Sequence, residues 1–129
     1  MTLTPELLPW IALAGALGAA ARYLLDRWCR LRWDDRFPWG TVIVNLLGAF
    51  LAGLVLGWVL TGYGDPALGV ILSIGFLGAF TTFSTWMVDV AGLAQEGRWR
   101  ASALHLLGSL VFGLMAAALG LLLGMDGCM

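Results

Sequence analysis

Four long apolar stretches alternate with short polar segments along this chain. The stretches cover approximately residues 7–25, 39–60, 67–93 and 101–123. Each supplies the ~20 apolar residues with which a helix crosses a hydrocarbon core about 30 Å thick. The polar segments carry the Gly, Pro and Asp typical of turns, and none is long enough to hold a second domain. The pattern therefore predicts an all-α membrane protein, a single domain (residues 1–129) of four transmembrane helices.

The composition favours a lipid environment. Hydrophobic residues make up 60% of the chain and charged residues 12%, and the mean hydropathy is +0.90. A soluble domain carries about twice that charged fraction, and a core this small could not bury so much apolar surface. No run of basic residues indicates nucleic-acid binding. One histidine, no paired carboxylates and no Gly-x-Ser-x-Gly motif argue against an enzyme.

Positive charge lies on one side of the predicted bundle. The seven basic residues lie at or near the segments that follow the first and third stretches, and they are Arg22, Arg27, Arg30, Arg32, Arg36, Arg98 and Arg100. The opposite side, which includes the termini, carries Glu6, Asp65 and Asp126. By the positive-inside rule, the arginines face the cytoplasm and both termini face outward. We expect a multi-pass protein of the inner or plasma membrane.

The third stretch contains the densest polar cluster within any span. Two glycines, Gly75 and Gly78, precede four hydroxyl residues within five positions, at 81–85. Glycine weakens a helix, and Ser and Thr can bond nearby backbone groups. Irregular backbone inside a membrane is tolerated where it is buried in protein or lines a cavity, and its freed carbonyls can coordinate a cation. A broken helix is one interpretation. An unbroken helix whose hydroxyls bond back to the preceding turn is the other.

Isolated polar residues occur in the other spans and near their ends. Asn45 and Ser109 lie about two turns into their spans, and His105 lies one turn in. Such residues usually face a bundle interior or a transport path. Helix–helix hydrogen bonding is the alternative for Asn45 and Ser109. For Arg22 and Asp89, the alternative is that the side chain reaches back to the interface.

Three phenylalanines, Phe76, Phe80 and Phe83, follow helical spacing and would share one face of a continuous helix. Such a stripe usually packs in a core. The positive edges of the rings could instead offer an anion weak contacts.

Three motifs together resemble the small fluoride channel family (Fluc, also called CrcB). They are GALGAAARY at 15–23, FPWGTVIVNLLG at 37–48 and GFLGAFTTFST at 75–85. They occur in the family's order and extend over nearly the whole four-span chain. The third motif is the most diagnostic.

The resemblance implies a fluoride-selective channel that exports toxic fluoride from the cytoplasm. Members form antiparallel dimers with two pores, and their third helix is broken near the membrane centre. A structural Na⁺ that is not transported lies on the dimer axis. By motif position, the backbone carbonyls of Gly78 and Thr81 of each subunit would hold it.

The resemblance also assigns roles to individual positions. The pore-lining positions are Asn45, Phe83, Ser84, Thr85, Trp86, His105 and Ser109, and the vestibule positions are Arg22 and Asp89. Fluoride holds its water tightly, so Asn and Ser donors would replace lost hydration while ring edges let the ion leave again. Three positions depart from the family pattern. Trp86 stands where Phe is usual, His105 where Tyr is usual, and Gly113 where a hydroxyl is usual.

The charge asymmetry bears on the partner. A homodimer of oppositely oriented copies needs nearly balanced loops, whereas seven arginines on one side should fix a single orientation. The partner is therefore either a second copy or, as we hypothesise, a homologous subunit of opposite orientation. Two other functions stay open. A small proton-coupled exporter would need a carboxylate within the first span, where Glu6 lies outside and Asp26 at the far end. A non-conducting assembly subunit of a heterodimeric channel is the other.

Overall fold

The computed structural model describes residues 2–127, and every regular element in that range is helical. A single 3-10 turn (Pro5–Leu7) leads into α1 (Leu8–Arg32), which is followed by α2 (Trp39–Leu60), α3 (residues 66–80), α4 (Ser84–Gln95) and α5 (Trp99–Asp126). Four stretches are long and apolar enough to cross a membrane, with α3 and α4 together forming the third. The prediction of an all-α, multi-pass membrane protein is confirmed.

Two of the helices contain π-helical segments, in which the backbone is locally wider than an α-helix. In α3 the segment Ile71–Leu77 lies between the α-turns Pro66–Val70 and Gly78–Phe80. In α5 the segment Leu104–Gly108 follows the first α-turn. Such segments occur frequently at functional sites because they shift the direction of the side chains that follow.

The helices extend beyond the apolar stretches at the arginine-rich end. α1 continues through Asp26 to Arg32, and an ion pair of 3.0 Å joins Asp26 Oδ2 to Arg30 Nε one turn later. At the end of α4, Gly97 adopts a φ of +77°, and Arg98 N–H donates to Leu93 O at 2.9 Å. This is the Schellman motif that ends helices, and only glycine adopts its left-handed conformation without strain.

The closest contact between helices is a glycine seam, formed by Gly53 and Gly57 of α2 with Gly120 and Gly124 of α5. A Cβ atom at any of these four positions would overlap backbone atoms of the other helix. Small residues four apart let helix backbones approach closely and pack by van der Waals contact, which is the main attraction between helices in lipid. The seam therefore fixes α2 against the second half of α5.

A second close contact joins α1 to the π-helical part of α3. A Cβ atom on Gly75 would lie 2.8 Å from Ile11 O and 2.9 Å from the Cβ of Ala14. A Cβ atom on Gly18 would overlap the Phe76 backbone. These two contacts pack the π-helical part of α3 against α1, shortly before the helical geometry of α3 ends at Phe80.

Candidate functional site

The helical geometry of the third stretch is interrupted at residues 81–83. The last turn of α3 ends at Phe80, Thr81 is extended with φ −80° and ψ 158°, and α4 begins at Ser84. The interruption lies near the middle of the 30-residue stretch Pro66–Gln95. Thr81 itself still belongs to the preceding turn, because its N–H and its hydroxyl both donate to Leu77 O, at 3.0 and 2.9 Å.

The side-chain amide of Asn45 binds the backbone of Thr82 on both sides. Its Nδ2 donates to Thr82 O at 2.8 Å, and Thr82 N–H donates to its Oδ1 at 2.9 Å. In a continuous helix Thr82 N–H would donate to Gly78 O, four residues earlier. Because Asn45 takes that donor, Gly78 O accepts no hydrogen bond from any residue the structure describes.

The Thr82 hydroxyl releases a second carbonyl in the same way. Thr85 N–H donates to Thr82 Oγ1 at 3.2 Å, whereas in a continuous helix it would donate to Thr81 O. The Thr82 hydroxyl in turn donates to Thr85 Oγ1 at 3.1 Å and lies 3.5 Å from Ser84 Oγ. Within residues 2–127, Thr81 O accepts no hydrogen bond either.

The two released carbonyls are the ones that the sequence motif assigns to Na⁺. Carbonyl oxygens suit hard cations because they can replace the water shell of the ion. Among the described residues, no group of three or more His, Cys, Asp or Glu could hold a metal. The residues present therefore fit a cation held by backbone oxygens. One chain contributes two such oxygens, too few to surround a hard cation.

An open, mostly apolar groove of about 470 Å³ lies beside the interruption. It gathers seven positions singled out from the sequence, namely Asn45, Gly78, Thr81, Phe83, Trp86, Ser109 and Gly113. Phe83 is 69% exposed, and its ring meets that of Trp86 edge to face at 5.8 Å. The indole N–H of Trp86 donates to His105 O at 3.1 Å, which fixes the orientation of that ring in the groove wall.

Other predicted positions lie outside the groove. Ser84 and Thr85 are exposed at the start of α4 and connect to the groove only through Thr82. Arg22 is half-buried on α1, and no hydrogen bond or ion pair joins it to another residue in 2–127. His105 is buried, with 1% of its surface exposed, and lies behind Trp86 instead of lining the groove.

The three phenylalanines do not act as one stripe. Phe76 and Phe80 stack at 5.7 Å, and Phe80 is buried. Phe83 is exposed and pairs with Trp86 instead. The predicted shared face assumed a continuous helix. Because the residues between Phe80 and Ser84 are not helical, Phe83 does not lie on the same helix face as Phe76 and Phe80.

Asp89 belongs to a second cavity, of about 340 Å³, at the arginine-rich end of the bundle. Charged residues of both signs line it, including Asp26, Arg36 and Glu96. Thr41, a residue that sequence reasoning did not single out, donates its hydroxyl to Asp89 Oδ2 at 2.7 Å. Its position in the motif at 37–48 was visible, but its partner lies 48 residues away along the chain.

His105 stands between the two cavities. Its Nε2 lies 3.8 Å from Asp89 Oδ2, and its Nδ1 lies 3.3 Å from Ser109 Oγ. Phe37 contacts the ring edge to face, with centroids 5.4 Å apart. Nε2 is fully buried and has no hydrogen-bond partner among the described residues.

Comparisons with known proteins agree with the motif reading. A family model described as CrcB-like protein, Camphor Resistance (CrcB), matches residues 9–121. The chain is 47% identical over 116 residues to a protein of Symbiobacterium thermophilum named Fluoride-specific ion channel FluC 1, covering 88% of this chain and 94% of that one. It is 43% identical over 116 residues to the Fluoride-specific ion channel FluC of Magnetococcus marinus, covering 89% and 94%. The Thermus thermophilus protein of the same name is 42% identical over 114 residues, covering 88% and 90%.

Proposed function

The chain belongs to the CrcB-like family, and on that premise we propose that it forms a fluoride-selective channel that lets toxic fluoride leave the cytoplasm. The family is one of ion channels and not of enzymes, as the sequence indicated. The observation that carries the proposal is the interruption at 81–83. It releases the carbonyls of Gly78 and Thr81 beside a groove that also holds Asn45 and Ser109.

The channel is a dimer of antiparallel subunits. The groove of one chain is open along its length, and one chain supplies only two of the oxygens that a hard cation needs. A second subunit that packs its own interruption against the first would close the groove and double the number of oxygens. Antiparallel packing brings the two interruptions together because each lies near the middle of its span.

Gly78 O and Thr81 O of each subunit would hold Na⁺ at the contact between the interruptions. The bound ion supplies a fixed positive charge between two sets of backbone dipoles and is structural, not transported. This chain prepares the site without the ion, because Asn45 and Thr82 hold the competing N–H groups. The helix-breaking residues are therefore also the residues that organise the cation site.

Fluoride passes along the groove in contact with weak donors. Asn45 has a second amide proton beyond the one given to Thr82 O, and the Ser109 hydroxyl lies on the groove wall. The ring edges of Phe83 and Trp86 carry partial positive charge and attract an anion without trapping it. Binding of this strength allows both entry and exit, as conduction requires. Ser84 and Thr85 extend this polar path at the start of α4, where they are exposed.

The arginine-rich end faces the cytoplasm and the termini face outward. Arg22 and Asp89 then form the vestibule at the cytoplasmic end, and the charged cavity around Asp89 is its floor. Because all seven arginines lie toward that end, the partner is a homologous subunit inserted in the opposite orientation.

Fluoride efflux from liposomes tests the proposal. The chain alone and the chain with an oppositely oriented homologue are reconstituted, and fluoride and chloride release are measured under the same potential. Efflux of fluoride well above chloride supports the channel. Equal release of both anions contradicts selectivity, and efflux that requires a proton gradient identifies an exporter. Efflux that appears only with the partner, and survives loss of Phe83 and Ser109 from this chain, identifies a non-conducting assembly subunit.

A further inference from the structure

A buried polar connection joins the charged cavity to the groove. Asp89 lines the cavity, Ser109 lines the groove, and His105 contacts both. The His105 side chain itself is fully buried. The ring therefore lies between a residue of the charged cavity and a residue of the groove.

The surroundings of the ring decide which nitrogen carries the proton. A neutral imidazole has one N–H group and one acceptor nitrogen. Asp89 carboxylate only accepts, and it faces Nε2 at 3.8 Å, so it stabilises the form with the proton on Nε2. Nδ1 is then an acceptor, and the Ser109 hydroxyl donates to it across 3.3 Å. In this state the hydroxyl proton of Ser109 points at the ring and away from the groove.

A second proton reverses that hydrogen bond. When the ring takes up H⁺, one N–H bond forms at Nδ1 and the ring gains one positive charge. The negative charge of the Asp89 carboxylate stabilises that positive charge. Nδ1–H then donates to Ser109 Oγ, so the hydroxyl must turn its own proton elsewhere. Because Ser109 lines the groove, that proton becomes available to an anion there.

We propose, building on the channel function above, that His105 is a positioning residue that sets by its protonation whether Ser109 can donate to fluoride. Conduction then rises as the pH at the charged cavity falls through the range in which histidine titrates. Among the described residues, Asp89 is the charged group whose contact with the ring is established, and Phe37 and Ser109 are the other ring contacts. Trp86 binds the backbone carbonyl of His105, and Thr41 binds Asp89.

The chain has a single histidine, so its ring can be observed directly. We would label the histidine nitrogens with ¹⁵N in the reconstituted protein and record their chemical shifts between about pH 5 and pH 8. The expected result is the Nε2–H form at the upper end and the doubly protonated ring at the lower end. An Nδ1–H form at the upper end, or a ring that does not titrate in this range, overturns the proposal. Because this measurement uses the unaltered protein, it does not depend on a variant that folds.

Electrical recording in planar bilayers gives the functional readout. Current counts only the anion, since neutral HF carries no charge across the bilayer. The fluoride current should rise about tenfold over the same pH range, the effect of one hydrogen bond to an ion. His105→Gln should remove the pH dependence, and Ser109→Ala should give a low current that does not change with pH.

Ser102→Ala is the matched control. Ser102 is a buried serine of α5 whose hydroxyl donates to Val90 O at 2.7 Å, and it lines neither cavity. Its pH profile should match the unaltered protein. A fluoride current that does not depend on pH overturns this inference and leaves the channel intact. With the oppositely oriented partner also present in the bilayer, the absence of fluoride current at every pH overturns the channel and this inference with it.

Discussion

The glycine seam and the interruption at 81–83 differ in how their backbone N–H and C=O groups find hydrogen-bond partners. In lipid every backbone N–H and C=O needs a partner within the protein. Along the seam the helices keep all their own hydrogen bonds, and glycines at 53, 57, 120 and 124 only let the two backbones approach. At the interruption, side chains replace the lost helical partners, and two carbonyls are left over. The seam only packs two helices together, whereas the interruption leaves two carbonyls free for the cation that we propose.

This difference predicts different consequences of substitution. A residue added to the seam has no space and no alternative partner, so the fold itself should suffer. A residue changed at the interruption should leave the four helices in place and change what the carbonyls and the groove can bind.

Gly124→Ala should give the largest loss of stability. Its new Cβ atom would overlap the Leu54 carbonyl, and two helix backbones would have to separate. We expect a cost of about 2–3 kcal/mol, measured as a lower midpoint of thermal unfolding in detergent. Gly108→Ala, on the same helix with nothing within 4 Å of its Cβ atom, is the matched control and should be neutral or slightly stabilising. Equal effects of the two substitutions would show that the seam is not tightly packed.

Asn45→Leu should come next and should abolish fluoride efflux. The substitution leaves both Thr82 N–H and Thr82 O without their partner. Two unsatisfied groups would cost about 2 kcal/mol, because the backbone can relax toward a helical path in which Thr82 N–H reclaims Gly78 O. The test combines thermal unfolding with fluoride efflux from liposomes.

Two controls sharpen the Asn45 result. Asn45→Asp keeps the acceptor for Thr82 N–H but loses the donor to Thr82 O. Its stability should therefore fall between that of the unaltered protein and that of Asn45→Leu. Ser102→Ala removes one buried side chain–backbone hydrogen bond at a site unrelated to the groove. Full efflux by Asn45→Leu would contradict the role of Asn45 in holding Thr82 out of a helical path.

How much of this was predictable differs between the two regions. Four membrane-length helices followed from apolar length alone, because bilayer thickness imposes it. The hydroxyl cluster at 81–85 located the weak point of the third stretch, since Gly and Thr compete with helical bonds locally. Their partners were not predictable, because Asn45 lies 37 residues from Thr82 and a local pattern carries no information on such contacts.

The same limit applies to the seam and to His105. Glycine pairs four apart are visible in α2 and α5, but the sequence does not say which helix faces which. The motif position assigns His105 to the pore, but its packing against Asp89 and behind Trp86 depends on how α4 and α5 lie against each other. The assignments of pore, vestibule and Na⁺ residues stay predictions.

Thr82→Val should have a smaller effect on stability and a specific effect on the cation. Without its hydroxyl, Thr82 no longer accepts Thr85 N–H, and that donor can return to Thr81 O. We expect a loss of about 1 kcal/mol, typical of a lost N-terminal helix cap. The unaltered protein should unfold at higher temperature in Na⁺ than in a bulky organic cation, because a ligand that binds only the folded state stabilises it.

The effect of Na⁺ on the unfolding temperature distinguishes the role of Thr82 from that of Thr85. Thr82→Val should lose most of the Na⁺-dependent shift in unfolding temperature, while Thr82→Ser, which keeps the hydroxyl, should retain it. Thr85→Val keeps the N–H that Thr82 caps and should also retain the shift. A Na⁺ response that survives Thr82→Val would mean that Thr81 O is not one of the ligands.

Ser84→Ala should have the smallest effect of the set, and it marks where the interruption ends. Ser84 is exposed, and its hydroxyl lies 3.5 Å from Thr82 Oγ1, at the limit of a hydrogen bond. We expect a stability change below about 0.5 kcal/mol and fluoride efflux within about twofold of the unaltered protein. A large loss of efflux with unchanged stability would show instead that the exposed Ser84 hydroxyl is a principal donor to fluoride and not a weak contact at the end of the path. The residues that determine fluoride binding would then include the first turn of α4, beyond the limits of the groove.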